Sequence, residues 1–196
     1  MIRVVLASHN RKKLEELRRI IGPKVPAIEL VGYDGPEPVE DGTSFAENAL
    51  IKARAAAAHT GLPAIADDSG IAVDILGGSP GIFSARWGGP ARDDLANLEL
   101  LKWQLSDVAH PHRGGAFMCA AALVLPSGDE VTRMGEWRGT ILEQPRGANG
   151  FGYDPLFQPD GFDRSAAELT PAEKDAESHR TRAFTALVAD LNRLAE

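Results

Sequence analysis

Cysteine is almost absent from this chain of 196 residues, since Cys119 is the only one. A single cysteine excludes an internal disulfide, so we expect a protein of a reducing compartment, the cytoplasm. Cys119 lies in an apolar run, which favours a buried thiol over a nucleophile. No apolar run approaches the roughly 20 residues that span a bilayer. No basic segment or cleavage site of a signal peptide is visible. We therefore expect no membrane partner.

An excess of positive charge is also lacking, because the formal net charge is −7. This charge disfavours a protein that follows a phosphate backbone, so we expect no nucleic-acid partner. Hydrophobic residues make up 43% of the chain, enough for a sizeable core. The length fits a single domain over residues 1–196. An anionic ligand would need cations that are clustered locally.

Hydrophobic periodicity and capping residues predict strands that alternate with helices. Short apolar strands are predicted at residues 2–7, 28–31, 64–66 and 71–73, the last two flanking a polar turn at 67–70. Helices are predicted from about Arg11, after Ser44, after Asp93 or Asp94, and after Thr170. A hairpin is predicted from residues 116–125 and 130–137, and residues 144–163 are expected to be irregular. This order predicts an α/β fold with a mixed sheet and helices on both faces.

A polar segment rich in cations follows the first strand and enters the first helix. Free backbone N–H groups at a helix start favour an anion. Cations in the first turn oppose the helix dipole, so something other than helix stability selects them. The segment could equally be a solvated charge run, and it is not a Walker A loop. Its residues are Ser8, His9, Asn10, Arg11, Lys12 and Lys13.

Carboxylates cluster in the loop before the second helix, around Glu40, and at Asp67 and Asp68. Mg²⁺ is bound through one or two carboxylates together with substrate phosphates. The alternative is that residues 67–70 are simply favourable turn residues. Glu47 has its own explanation, because Ser44-x-x-Glu47 forms a capping box.

Three glycines and two aromatic residues occupy positions 147–155. Glycine lets the backbone approach a ligand closely, and Phe151 or Tyr153 could stack on a base. Asp154 could accept hydrogen bonds from that base, although Asp154 with Pro155 could also form only a turn. Three more cationic or titratable residues lie where one C-terminal helical segment meets the next: Lys174, His179 and Arg180. A lone His179 would more often be structural.

These segments together resemble the inosine/xanthosine triphosphate pyrophosphatase family. The resemblance covers nearly the whole chain, and six motifs occur in the family's order and spacing. They are Ser8-x-Asn10-x-x-Lys13, Phe45-x-Glu47-Asn48-Ala49, Ala66-Asp67-Asp68-Ser69-Gly70, Gly78-x-Pro80-Gly81-x-x-Ser84-Ala85-Arg86, Gly150-Phe151-Gly152-Tyr153-Asp154-Pro155 and Ser178-His179-Arg180. One departure is His9, at a position often occupied by glycine.

The resemblance implies hydrolysis of free ITP, dITP and XTP to the monophosphate and pyrophosphate, with Mg²⁺. It also implies a homodimer whose elongated mixed sheet is flanked by helices, with the substrate cleft between two lobes. By the same resemblance, Ser8–Lys13 hold the phosphates, Glu40 and Asp68 bind the metal, and Asp68 accepts the proton. The residues implied to contact the nucleoside and its base are Ser69, Phe151, Gly152, Tyr153, Asp154, Lys174, His179 and Arg180.

Two alternatives remain open from the sequence. One is a Maf-like pyrophosphatase of similar fold with another nucleotide specificity. The other is a nucleotide sensor without catalysis, against which Asp68 and Lys13 argue, since a sensor needs no general base.

Overall fold

The computed structural model describes residues 1–195, except for the side chain of Lys12. The chain forms two compact units that alternate along the sequence. The first unit contains Met1–Asp68, Cys119–Gly135 and the segment from Arg180 onward, and the second contains Ser69–Met118 and Glu136–His179. The single domain expected over residues 1–196 stays a prediction. Within residues 1–195, no helix combines the length and apolar character needed to cross a membrane.

Six strands form one sheet in the order β2-β1-β3-β4-β5-β6. The strands are β1 Ile2–Leu6, β2 Ile28–Val31, β3 Ala64–Val73, β4 Gly114–Val124, β5 Glu130–Ile141 and β6 Phe157–Pro159. β1 pairs in parallel with β2 and with β3, whereas β5 pairs antiparallel with β6. The predicted mixed sheet is therefore confirmed.

Five α-helices accompany the sheet within the described residues: α1 Arg11–Ile21, α2 Phe45–Thr60, α3 Asp94–Gln104, α4 Pro171–Glu177 and α5 His179–Asn192. The predicted caps hold, since Ser44 accepts a hydrogen bond from the Glu47 N–H at 3.2 Å and Thr170 forms a complete capping box. The Glu47 carboxylate accepts from the N–H and hydroxyl of Thr43.

In the first unit, alternate residues of β1 face different helices. Val4 and Leu6 pack in a cluster with residues of α1 and α5, such as Leu17 and Phe184. Val5 belongs to a second cluster, built with the alanines of α2. Because successive strand residues point to opposite faces, this unit has helices on both faces of its sheet. Alanine at the contacts lets α2 lie close to the strands.

The polar turn predicted at residues 67–70 is wrong, because β3 runs without interruption from Ala64 to Val73. Asp67 can stay in a buried strand because its carboxylate pairs with Lys13 and Arg180. Gly70 is needed because a Cβ there would collide with the side chain of Ser84, whose hydroxyl accepts from the Ile71 N–H at 2.9 Å. Favourable turn residues are thus compatible with an extended strand when partners surround them.

Two other predictions were incomplete. The region 144–163 was expected to be irregular but contains β6, which is only three residues long. The second hairpin strand was predicted to end at Trp137, whereas β5 continues to Ile141 and pairs with β6 there. Pairing with a distant short strand leaves little local signal in the sequence.

Arg113 is a buried cation directly before β4 in the second unit. Its guanidinium donates to the carbonyl oxygens of Ile141 at 2.7 Å, Leu142 at 2.8 Å and Leu105 at 2.6 Å. These bonds satisfy backbone carbonyl groups of Ile141 and Leu105, which are buried, and of Leu142, which is partly buried. Arg113 therefore acts as a structural centre, which means that its hydrogen bonds hold the end of α3, the start of β4 and the end of β5 together.

Arg113→Met should lower the free energy of unfolding by about 3 kcal/mol or more, because several buried carbonyl groups lose their donor. Urea unfolding measures this change. The matched control is Arg54→Met, which removes an exposed ion pair with Glu130 and should cost about 1 kcal/mol at most. Equal losses in the two variants would show that Arg113 is not a structural centre.

Candidate active site

Asp67, the neighbour of the predicted metal ligand Asp68, is a deeply buried carboxylate at 3% exposure. Its side chain lies 2.5 Å from the ammonium of Lys13 and 3.3 Å from the guanidinium of Arg180. Burial alone would raise the pKa of Asp67, but these two cations outweigh it and the pKa lies below its ordinary value. Glu16 pairs with Arg180 from α1 at 3.4 Å. Asp67 is therefore ionised at neutral pH.

Asp68 belongs to a separate group on the same strand. Lys52 of α2 places its ammonium 3.3 Å from the Asp68 carboxylate and 3.1 Å from Glu40. Asn48, one turn earlier on α2, donates to Asp68 at 3.3 Å. Burial raises the pKa of Asp68, and the charge of Glu40 adds to this against the opposing effect of Lys52. The two adjacent aspartates thus differ in the direction of their pKa shifts.

The segment predicted to bind phosphate forms a tight turn into α1. Ser8 accepts from the Asn10 N–H at 3.2 Å, and Asn10 accepts from the Lys13 N–H at 3.3 Å. Lys13 reaches Asp67, whereas Arg11 is exposed. The His9 ring contacts the loop of residues 32–42. The predicted role of Lys12 falls on a side chain outside the described part of the chain.

In the second unit, Phe151, Asp154 and Lys174 form one group. Phe151 is 66% exposed, and the Lys174 ammonium lies 5.0 Å from the centroid of its ring. The same ammonium contacts the Asp154 carboxylate at 2.5 Å, and Asp154 also accepts from the Phe151 N–H at 2.9 Å. An exposed aromatic ring can stack on a planar ligand. The ammonium fixed beside it can donate a hydrogen bond to the polar edge of that ligand.

Gly152 and Tyr153 hold this loop in place. The Gly152 N–H donates to Asp94 of α3 at 3.1 Å, and the buried Tyr153 hydroxyl donates to the Ser84 carbonyl at 2.8 Å. Burial raises the pKa of Tyr153, with a smaller contribution from Asp94. The Tyr153 ring packs in the core, so this side chain supports the loop instead of presenting a surface for stacking.

His179 and Arg180 are chain neighbours with different surroundings. The His179 ring is buried and stacks on Phe117 with centroids 5.0 Å apart. The Arg180 guanidinium joins Asp67 instead. Burial would lower the pKa of Arg180, but Asp67 and Glu16 outweigh it, so the pKa is raised. Ser69 follows Asp68 in β3 as the first residue of the second unit.

The sequence reasoning missed Lys52 and Asn48. Both lie on the face of α2 that meets Asp68, and their spacing of four residues provided a signal. In an otherwise alanine-rich helix, an amide and an ammonium on one face indicate a polar contact. Cys119 is buried as predicted, and burial raises the pKa of its thiol.

Comparison with known proteins identifies the family and relatives of this chain. The model of the Ham1 family matches residues 4–190. A dITP/XTP pyrophosphatase of Leifsonia xyli subsp. xyli is 56% identical over 195 residues, covering 100% of this chain and 98% of the relative. One from Frankia alni is 60% identical over 190 residues, covering 93% and 94%.

Solved structures of similar architecture are also found. The dITP/XTP pyrophosphatase of Mycobacterium abscessus has a TM-score of 0.80 at 53% identity, covering 95% of this chain and 97% of that one. A HAM1 protein from Coxiella burnetii has a TM-score of 0.91 at 39% identity, covering 98% and 100%. The family match over most of the chain, the close relatives and the shared architecture lead to one conclusion: this chain belongs to the Ham1 family.

Proposed function

We propose that this protein hydrolyses the non-standard purine nucleoside triphosphates ITP, dITP and XTP to the nucleoside monophosphate and pyrophosphate. Family membership and relatives named dITP/XTP pyrophosphatases support this substrate class. They favour it over the Maf-like alternative. The observation that carries the proposal for this chain is Asp68, a half-enclosed carboxylate with a raised pKa beside Glu40 and Lys52.

Asp68 suits the task of a general base. A carboxylate whose pKa is raised accepts a proton more readily than one with the ordinary value. It would take the proton of the water that attacks the α-phosphorus. Lys13 and Lys52 can stabilise negative charge that develops on the phosphates. Since a sensor needs no such base, this arrangement favours catalysis over sensing.

The charges around the two aspartates fit a divalent cation. Two cations, Lys13 and Arg180, balance Asp67 and Glu16. At Asp68, one cation, Lys52, pairs with two carboxylates, Asp68 and Glu40. A triphosphate would therefore meet a formal excess of negative charge at Asp68. We propose that Glu40 and Asp68 hold Mg²⁺, which would neutralise the pyrophosphate leaving group when bound. Ser8, Asn10 and Lys13 would contact the phosphates.

The Phe151 and Lys174 pair would recognise the base. Phe151 can stack on any purine, whereas the Lys174 ammonium can donate to the 6-oxo group of hypoxanthine or xanthine. Adenine carries a 6-amino donor there, which leaves the ammonium facing another donor. Such a mismatch can lower kcat/KM for the mismatched nucleotide by roughly a hundredfold or more.

We also propose that the protein is a homodimer in the cytoplasm. The family resemblance indicates the homodimer, and the single cysteine indicates the reducing compartment.

The function is tested by measuring kcat/KM with MgCl₂ for ITP, dITP, XTP, GTP and ATP. We expect the first three to exceed ATP by roughly a hundredfold, because only they and GTP offer the 6-oxo acceptor. Pyrophosphate should form in one step. Orthophosphate released without added inorganic pyrophosphatase, or ATP cleaved as fast as ITP, would contradict the proposal.

Asp68→Asn should lower kcat at least about a hundredfold, since an amide cannot accept the proton at neutral pH. Steady-state kinetics with ITP measure the loss, and circular dichroism checks the fold. Asp74→Asn is the matched control, because Asp74 is an exposed aspartate paired with Arg138. It should keep its activity within about twofold. If Asp68→Asn retains more than about a tenth of the wild-type rate, Asp68 is not the base.

Phe151→Ala should raise KM for every purine triphosphate by about tenfold, because base stacking on an aromatic ring contributes about 1–3 kcal/mol. The ITP/ATP ratio of kcat/KM should stay the same, since stacking does not distinguish these bases. Phe83→Ala is the control, since Phe83 is also partly exposed with a cation, Arg86, over its ring. A changed ITP/ATP ratio in Phe151→Ala would show that Phe151 does select the base.

A further inference from the structure

His9 lies in the turn between β1 and α1, with Ser8 and Asn10 on either side. Its ring turns to the loop of residues 32–42. Nε2 donates to the Gly35 carbonyl at 2.8 Å, and Nδ1 lies 3.2 Å from the Glu37 carboxylate. The ring also stacks on Tyr33, with centroids 5.7 Å apart and planes within 16° of parallel. One side chain therefore contacts three residues of this loop.

The loop folds closely around Tyr33. The buried Tyr33 ring donates its hydroxyl hydrogen to the Pro36 carbonyl at 2.9 Å. A Cβ at Gly35 would collide with the Tyr33 hydroxyl and with the ring of His59, so the backbone passes tightly over Tyr33. His9 covers one face of that ring, whereas His59 meets it edge-on from the last turn of α2.

The far end of the same loop is fixed to the start of α2. The Gly42 N–H donates to the Asn48 side-chain oxygen at 2.9 Å, and Thr43 donates to Glu47. Glu40 lies between the two fixed ends and pairs with Lys52 at 3.1 Å. The position of Glu40 therefore depends on contacts at both ends, and His9 supplies a contact at the first.

We propose that His9 is a positioning residue that joins the turn carrying Ser8 and Asn10 to the loop carrying Glu40. By holding Gly35 and Glu37, it fixes the distance between the proposed phosphate contacts and a proposed metal ligand. This assignment rests on the proposed function. It differs from the direct phosphate contact that the family resemblance implies for His9, because the ring nitrogens face the loop.

Hydrogen exchange of the metal-free protein tests whether His9 holds the loop of residues 32–42, without any substrate. In His9→Leu, the amides of residues 32–42 should exchange about three to ten times faster, the factor that corresponds to one lost hydrogen bond. Amides of β1 and β3 should be unaffected. His9→Gln should restore slow exchange, because its amide N–H₂ can still donate to the Gly35 carbonyl.

His59→Leu is the matched control, since the same substitution is made at a second histidine that contacts Tyr33. It should leave exchange in residues 32–42 closer to wild type than His9→Leu does. Wild-type exchange in His9→Leu, or equal acceleration by both variants, would overturn the assignment, because the contact from the turn would then not hold the loop.

A titration with MgCl₂ at saturating ITP tests the consequence for the site. The magnesium concentration for half-maximal activity should rise about three- to tenfold in His9→Leu and return towards wild type in His9→Gln. The value of kcat should change less than this concentration does. An unchanged magnesium requirement in an otherwise active His9→Leu would overturn the positioning role. A wild type that releases no pyrophosphate would instead refute the proposed function, and the exchange result would still decide whether His9 holds the loop.

Discussion

A charged carboxylate in the middle of a buried strand must be compensated, and Asp67 imposes this constraint on the first unit. Lys13 from α1 and Arg180 from α5 both pair with it, so three elements meet at one side chain. Their charges outweigh the effect of burial on the pKa of Asp67. Removing either cation would leave a buried charge only partly compensated, which typically costs several kcal/mol. The pairs also hold the start of α1 beside β3.

The surroundings of Asp68 differ from those of Asp67, whose negative charge is balanced by two cations. Neighbouring carboxylates with pKa values shifted in opposite directions can serve different purposes, which is consistent with our proposal that Asp68 is the proton acceptor. Asp67 keeps its charge and fixes Lys13, whereas Asp68 lies with Glu40, Asn48 and Lys52, where its pKa is raised. The two aspartates have different partners because side chains alternate along an extended strand.

In the second unit, structural contacts lie behind exposed groups. Asp94 and the Tyr153 hydroxyl hold the loop backbone, and the exposed Phe151 ring lies beside the Lys174 ammonium, as the proposed contact with the base requires. An exposed aromatic ring in a loop would ordinarily be mobile. Here the loop backbone is hydrogen-bonded at Phe151 and at Gly152, since Asp154 accepts from the Phe151 N–H and Asp94 accepts from the Gly152 N–H. A fixed ring loses less entropy when a base stacks on it.

The sequence by itself determined the fold class, the strands β1 and β2, and the starts of α1, α2, α3 and α4. These features depend on local patterns, namely apolar periodicity and capping residues such as Ser44 and Thr170. Its motifs also indicated the family and a set of candidate site residues. Only the tertiary structure decided that residues 67–70 continue a strand, since the partners of Asp67 come from α1 and α5. The tertiary structure also gives the neighbours His179 and Arg180 different partners, Phe117 and Asp67. It places Lys52 beside Asp68 and the His9 ring against the loop of residues 32–42. These outcomes depend on contacts between residues far apart in the chain, which local patterns do not encode.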